Sequence, residues 1–225
     1  MSAWAIVLAC GKEQEITAGV DVAFLALGDR PVLAHSLLTL QQCELIEGII
    51  LVVKKPRVDN ALQVVRSYGL KKVKSLVAGS GTRLSNLKKA CEQLPDGASA
   101  VVVHSASRPF VDVDVITETV KAGKRYGAAV AAVRCTDAVK LAEKGQKASK
   151  SLDRNTIWIA QCPQVFKRDV FEKMLKGGAK LIDDESALLE KTRQEIHLVV
   201  SSDANMKIRT PQDFERANAM VSLYQ

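Results

Sequence analysis

Five nearly unbroken apolar runs punctuate the chain: Ala3–Ala9, Gly48–Val53, Ser99–Val103, Ala128–Val133 and Glu195–Val200. Runs of this length without polar alternation are how strands buried on both faces read. Between them the apolar positions change to three- and four-residue steps. This predicts helices from Val32 to Leu40 and over Val58–Tyr68, Leu84–Leu94 and Val113–Tyr126. Strand and helix alternating in this way predict an α/β class, a three-layer, Rossmann-like, mainly parallel sheet. Ligands of such sheets gather outside the carboxyl ends of the strands, which directs attention to the segments starting at Cys10, Ala78 and His104. The stretch at about 134–161 breaks the alternation. There Ala138–Leu141 and Thr156–Ala160 read as short strands flanking the polar Glu143–Lys150. A projecting β-arm is expected, either as a solvated hairpin or as a dimerisation device; a two-stranded hairpin is marginal alone, which favours a homodimer. No repeat or linker divides the 225 residues, so one domain, 1–225, carrying the arm is expected.

A hydrophobic share of 47% builds a sizeable core and excludes disordered and collagen-like chains. No apolar run approaches the roughly 20 residues of a membrane span, so no membrane partner is expected. The chain enters its first strand with no leader-like segment before it, which predicts a cytoplasmic protein. Cys10, Cys43, Cys91, Cys135 and Cys162 show neither CxxC nor zinc-ligand spacing, so reduced thiols are expected. Lys and Arg outnumber Asp and Glu by 32 to 25, and the resulting +7 suits anionic ligands. The charges are scattered and no aromatic residues interleave with them, so no nucleic-acid partner is expected.

Three segments carry candidate chemistry. Ile6-Val-Leu-Ala-Cys-Gly11 ends a strand at a glycine, where backbone amides can face a phosphate or simply make a turn. Ala78-Gly-Ser-Gly-Thr-Arg83 places two glycines and a cation ahead of a helix, an anion-binding arrangement without the GK[ST] ending of a P-loop. Val101-Val-Val-His-Ser-Ala-Ser-Arg-Pro-Phe110 is a buried strand ending in small polar residues and an arginine stiffened by Pro109. This last string resembles the VHDAARP segment of 2-C-methyl-D-erythritol 4-phosphate cytidylyltransferases. The likeness continues in order through Leu33-Ala-His-Ser36, Leu152-Asp-Arg-Asn155, Cys162-Pro-Gln164, Asp183-Asp-Glu-Ser186 and Asn205-Met-Lys-Ile-Arg-Thr-Pro211.

The resemblance implies attack of a methylerythritol phosphate oxygen on the α-phosphorus of CTP with release of pyrophosphate. It also implies Mg2+ and two partners, CTP or another nucleotide and a phosphorylated small molecule. Carried over by position, Lys207 is the catalytic candidate. Ala9, Cys10, Gly11, Gly79, Arg83 and Ala106 are nucleotide-binding candidates, and Arg108, Asp137 and Arg154 face the acceptor. No metal ligand is assigned, because Ser105 stands where the motif has its aspartate, and a hydroxyl is a poor magnesium anchor.

Other positions depart as well. Lys12-Glu-Gln-Glu15 replaces the family's GxGxR continuation, and Asp21-Val22-Ala23 stands at its Pro-Lys-Gln, which predicts two carboxylates and an aliphatic side chain along the triphosphate route. Ala138, Cys162 and Ile182 replace hydroxyl residues. Arg154 also reads as an arm-base salt bridge, Asp183 and Asp184 as a replacement metal pair or, more in keeping with the helical pattern that follows, as helix-capping residues, and His35 and His104 as structural. Cys10 and Cys162 read as small buried fillers. Three readings follow: a divergent cytidylyltransferase with weak or lost activity, a non-catalytic paralogue binding a metabolite or partner protein, and a nucleotidyltransferase with a changed acceptor.

Overall fold

The computed structural model describes residues 2–10, 15–177, 184–189 and 192–223. In chain order it contains β1 (Ser2–Ala9), the small hairpins β2 (Glu15–Thr17) with β3 (Val20–Asp21) and β4 (Ala26–Leu27) with β5 (Arg30–Pro31), and α1 (Val32–Gln42). There follow β6 (Ile46–Lys54), α2 (Val58–Ser67), β7 (Val73–Gly79), α3 (Arg83–Cys91), β8 (Ala98–Ser105), α4 (Val113–Tyr126) and β9 (Ala128–Arg134). The arm strands β10 (Val139–Leu141) and β11 (Lys150–Leu152) lead into β12 (Trp158–Lys167), α5 (Arg168–Lys176), β13 (His197–Val200) and α6 (Pro211–Leu223).

The central sheet has seven strands in the order β13-β9-β12-β8-β1-β6-β7. Only β12 runs against its neighbours; β1 is parallel to both β6 and β8 in the middle of the sheet. Alternate side chains of β1 serve the two faces. Ala3, Ala5, Val7 and Ala9 pack with Leu33, Leu37 and Leu40 of α1 and Ile116 and Val120 of α4. Ile6, Leu8 and Cys10 pack with Leu87 and Ala90 of α3 and Phe171 and Met174 of α5. The layers are therefore helix, sheet, helix, as the apolar runs predict.

Local chemistry fixes the element ends. The Asp112 carboxylate accepts from the Asp114 amide at 2.7 Å to start α4, and Gly127 ends it at a φ of +98° that a side chain would disfavour. Between β9 and β12 the hairpin differs from the expected pairing. Val139–Leu141 pairs with Lys150–Leu152, while Trp158–Ala160 pairs with β9 as the start of β12. The exposed Lys-rich turn closes the hairpin earlier than the apolar spacing suggests, and the ten-residue β12 reaches the core through Val165 and Phe166.

Candidate functional site

The carboxyl ends of β1, β7 and β8 form the floor of the site. β8 ends at Ser105, and the turn that follows is held from three sides. The Ala106 amide donates to the Leu8 carbonyl at 2.9 Å, the Ser36 hydroxyl donates to the carbonyls of Ala106 and Arg108, and the Ile208 amide donates to the Ser107 carbonyl at 2.9 Å. The hydroxyls of Ser105 and Ser107 lie 2.9 Å apart. Arg108 is thereby buried at a fixed position, and its guanidinium donates to the Asn205 carbonyl. Burial pushes its pKa below the usual arginine value, the Cys162 thiol opposes this, and Arg209 and Arg83 add to it. His104 is wholly buried beneath the turn, with Nε2 3.2 Å from the Arg108 carbonyl, and burial pushes its imidazole down to about 3. It is structural, as expected; so is His35, whose Nε2 lies 2.9 Å from the Leu27 carbonyl.

On the other side, Gly79 ends β7 beside β6 and comes close to the Cys10 side chain that follows β1. A Cβ there would lie 2.8 Å from the Cys10 sulfur, so the backbone comes closer than any side chain allows. Asn86 bridges the two strand ends, donating to Cys10 Sγ at 3.1 Å and accepting from the Ser80 amide at 2.8 Å. Thr82 caps α3 through the Ser85 amide, which sets Arg83 at the first turn of that helix. Arg83 reaches Glu185 at 2.5 Å, and the Glu185 side chain is 0% exposed.

These pieces meet at a cavity of about 80 Å³ lined by Arg83, Arg108, Lys207 and Arg209 together with Ser105 and the carboxylates Asp184 and Glu185. Four cations against two carboxylates give its lining an excess of positive charge. The structure thus brings Arg83, Arg108 and Lys207 together at the cavity, whereas Ala9, Cys10, Gly79 and Ala106 stand at or just beyond the ends of β1, β7 and β8 and do not line it. Gly11, Lys12 and Asp183 lie outside the described residues, as does Ile182. Asp137 and Arg154 are exposed at the arm base and do not line the cavity; Arg154 donates to the Thr136 carbonyl at 2.7 Å. Asp184 is a capping residue, accepting from the Ser186 hydroxyl and the Ala187 amide.

The first loop needs a correction. Asp21 does not stand along an open route: its side chain is 4% exposed and paired with Lys54 at 2.5 Å and Arg57 at 2.9 Å, and Glu15 is also paired with Lys54. Val22 and Ala23 are fully buried. Glu15 and Asp21 are thus taken up by the nearby Lys54 and Arg57, while Glu13 and Gln14 lie outside the described residues.

Arg209, Glu185, Asn86 and Asn205 were not singled out from sequence. Arg209 had a signal, since it follows Lys207 by two positions in a segment already matched. Asn205 closes the site by donating to Gln161 Oε1 at 3.0 Å and to the Cys162 carbonyl at 2.7 Å, a role that needs the fold to be seen. The donors do not fit a metal held by the protein. Ser105 is neutral, Asp184 Oδ1 is used in capping and Glu185 Oε1 by Arg83. Among the described residues no three His, Cys, Asp or Glu side chains stand close enough to hold an ion.

A doubly wound sheet with a cationic crevice at the carboxyl ends of its strands defines an α/β protein of the kind whose ligands gather at that edge. The comparisons make this particular. The family model for 2-C-methyl-D-erythritol 4-phosphate cytidylyltransferase matches residues 3–223, and the chain belongs to that family. A relative of that name from Syntrophus aciditrophicus is 33% identical over 223 residues, covering 96% of this chain and 94% of its own. The bifunctional enzyme IspD/IspF of Anaeromyxobacter dehalogenans is 36% identical over 96% of this chain and 56% of its own length. The crystal structure of 4-diphosphocytidyl-2C-methyl-D-erythritol synthase from Anaerococcus prevotii superposes with a TM-score of 0.86 at 26% identity, covering 98% of this chain and 96% of that one.

Proposed function

We propose that the chain binds CTP, or another nucleoside triphosphate, and a phosphorylated small molecule across the carboxyl edge of its sheet, as a divergent family member whose cytidylyl transfer is weak or lost. The observation that carries this is the convergence of Arg83, Arg108, Lys207 and Arg209 on one cavity at the carboxyl end of β8, where Ser105 lines it. In the transfer, the acceptor phosphate oxygen bonds to the α-phosphorus as the bond to pyrophosphate breaks. In this reading Lys207 holds the charge that develops on the phosphoryl oxygens and the buried Arg108 holds the acceptor, both lining the cavity. Magnesium, if bound, would offset charge on the triphosphate, and among the described residues no cluster of side chains forms a site for it.

Losing one charged transition-state contact costs about 3 kcal/mol, on the order of 100-fold in rate. Here Val22 replaces the family's lysine and Ser105 its aspartate, so turnover is expected to fall far below that of the complete motif set. The same two replacements favour the non-catalytic alternative. Asp137 and Arg154, exposed at the arm base, fit acceptor recognition if two copies pair through their arms and each reaches the other's cavity. The exposed Leu141 and Ile159 on and beside the arm support such a homodimer. Five free cysteines support a reducing, cytoplasmic setting, and among the described residues no helix is long and apolar enough to cross a membrane.

A pyrophosphate-release assay with magnesium, methylerythritol phosphate and each nucleoside triphosphate tests the reading. Slow release specific to CTP, at least about 100-fold below the Syntrophus relative, is expected if the motif losses act as argued. Release at the relative's rate contradicts the weakened transfer, and absence of both release and CTP binding contradicts the site.

A further inference from the structure

One carboxylate in the cavity is unexplained by anion binding. Glu185 is completely buried, and a carboxylate is the wrong charge for a phosphate site. Its Oε1 accepts from Arg83, but Oε2 is buried with no hydrogen-bond partner. An unmet buried acceptor is costly and is seldom kept without a use. Arg108 Nε, on another residue lining the same cavity, is a buried donor also without a partner. An orphan acceptor and an orphan donor on two residues that line one small cavity call for a group that can both donate and accept, and a hydroxyl does both.

We propose that Glu185 selects the acceptor: its Oε2 accepts a hydrogen bond from a hydroxyl of a phosphorylated polyol whose phosphate the neighbouring cations hold. This rests on the reading of the cavity as a phosphate-ester site. Glu185 thereby supplies, from a different segment, a carboxylate in the cavity where Ser105 has none. A bare divalent cation is disfavoured at the same oxygen, because four cationic side chains line the cavity and the Asp184 Oδ1 is already engaged. The cavity, at about 80 Å³, admits a few heavy atoms, which suits a hydroxyl-bearing carbon and not a nucleoside.

The test is calorimetric titration of the full chain with methylerythritol phosphate and with methyl phosphate, which has the ester but no hydroxyl. The wild type is expected to prefer the polyol ester at least about tenfold, the discrimination given by a site built to bond a ligand hydroxyl. Glu185→Ala is expected to erase that preference while binding methyl phosphate as tightly or more tightly, and Glu185→Gln, which keeps a carbonyl acceptor, to fall between. Equal affinity of the wild type for the two esters overturns the proposal without any variant, so a variant that fails to fold does not shield it. An undiminished preference in Glu185→Ala, or binding of magnesium alone that this variant abolishes, also overturns it. Binding of methyl phosphate without preference sinks only this inference, whereas binding of neither ester sinks the phosphate-site reading with it.

Discussion

Restoring the lysine that the family's first loop carries should damage this chain rather than repair it. Val22 is fully buried in a small cluster with Leu27, Val32, Ile208 and Ala217, against which Ile16, Phe110 and Phe214 pack. Val22→Lys removes a buried valine, worth about 1.5–3 kcal/mol, and brings an ammonium toward an apolar pocket at a cost of several kcal/mol. The adjacent Asp21 offers little compensation because Lys54 and Arg57 already hold it. Allowing the long side chain to bend toward solvent, the net loss is about 3–4 kcal/mol. For a chain of this size each kcal/mol lowers Tm by about 2–4 °C, so a drop of about 10 °C is expected by calorimetry at pH 7. The buried ammonium has its pKa lowered, so the unfolded state binds the extra proton and the penalty relative to wild type should shrink as pH rises from 7 to 10. Val22→Met, with no charge, should show a smaller, pH-independent loss. A Val22→Lys protein that melts within about 2 °C of wild type, or that regains rapid pyrophosphate release, refutes the reasoning.

Asp21→Asn should cost about 2 kcal/mol in denaturant unfolding and respond weakly to salt, between the values for exposed and fully buried pairs, because Lys54 and Arg57 remain partly exposed. His104 has a folded pKa of about 3, below its unfolded value, so the unfolded state takes up its proton first. Stability should therefore fall as pH drops from about 6.5 toward 3, by up to about 1.4 kcal/mol per unit, and the His104→Asn unfolding profile should be flatter over that window. Gly79→Ala should destabilise by about 1–3 kcal/mol in thermal melts through its contact with the Cys10 sulfur, and Cys10→Ala in the same chain should recover part of the loss.

The layers were legible because the central strands and the helices on both faces repeat apolar residues at periods the core demands; Val113–Tyr126 even matches α4 residue for residue. β7 and β12 were not. β7 lies at the sheet edge with Lys74 and Ala78 exposed, and β12 carries buried polar Gln161 and Gln164 that blunt its apolar signal. Gln164 is buried because the Ser186 amide donates to its side chain, a partner 22 residues away that no local pattern announces. The same limit governs the site. Arg108 and Lys207 sit in strings distinctive enough to be matched by order, but the Arg83 to Glu185 pair spans 102 residues and exists only once α3 and the segment after α5 are packed together. Asp21 was misread for a related reason: Lys54 and Arg57, which hold it, come from the end of β6 and the turn that follows, more than 30 residues away.

The central claim, that the cations meeting at the cavity hold phosphate groups, with Lys207 serving those of the nucleotide, is tested most directly by calorimetric titration of CTP with magnesium on the wild type and on Lys207→Ala, at two salt concentrations. The account predicts saturable binding that weakens with salt and is at least about tenfold weaker in the variant, the loss expected for one charge-assisted phosphate contact. Equal affinity in the two proteins, or no saturable binding by the wild type, would contradict it.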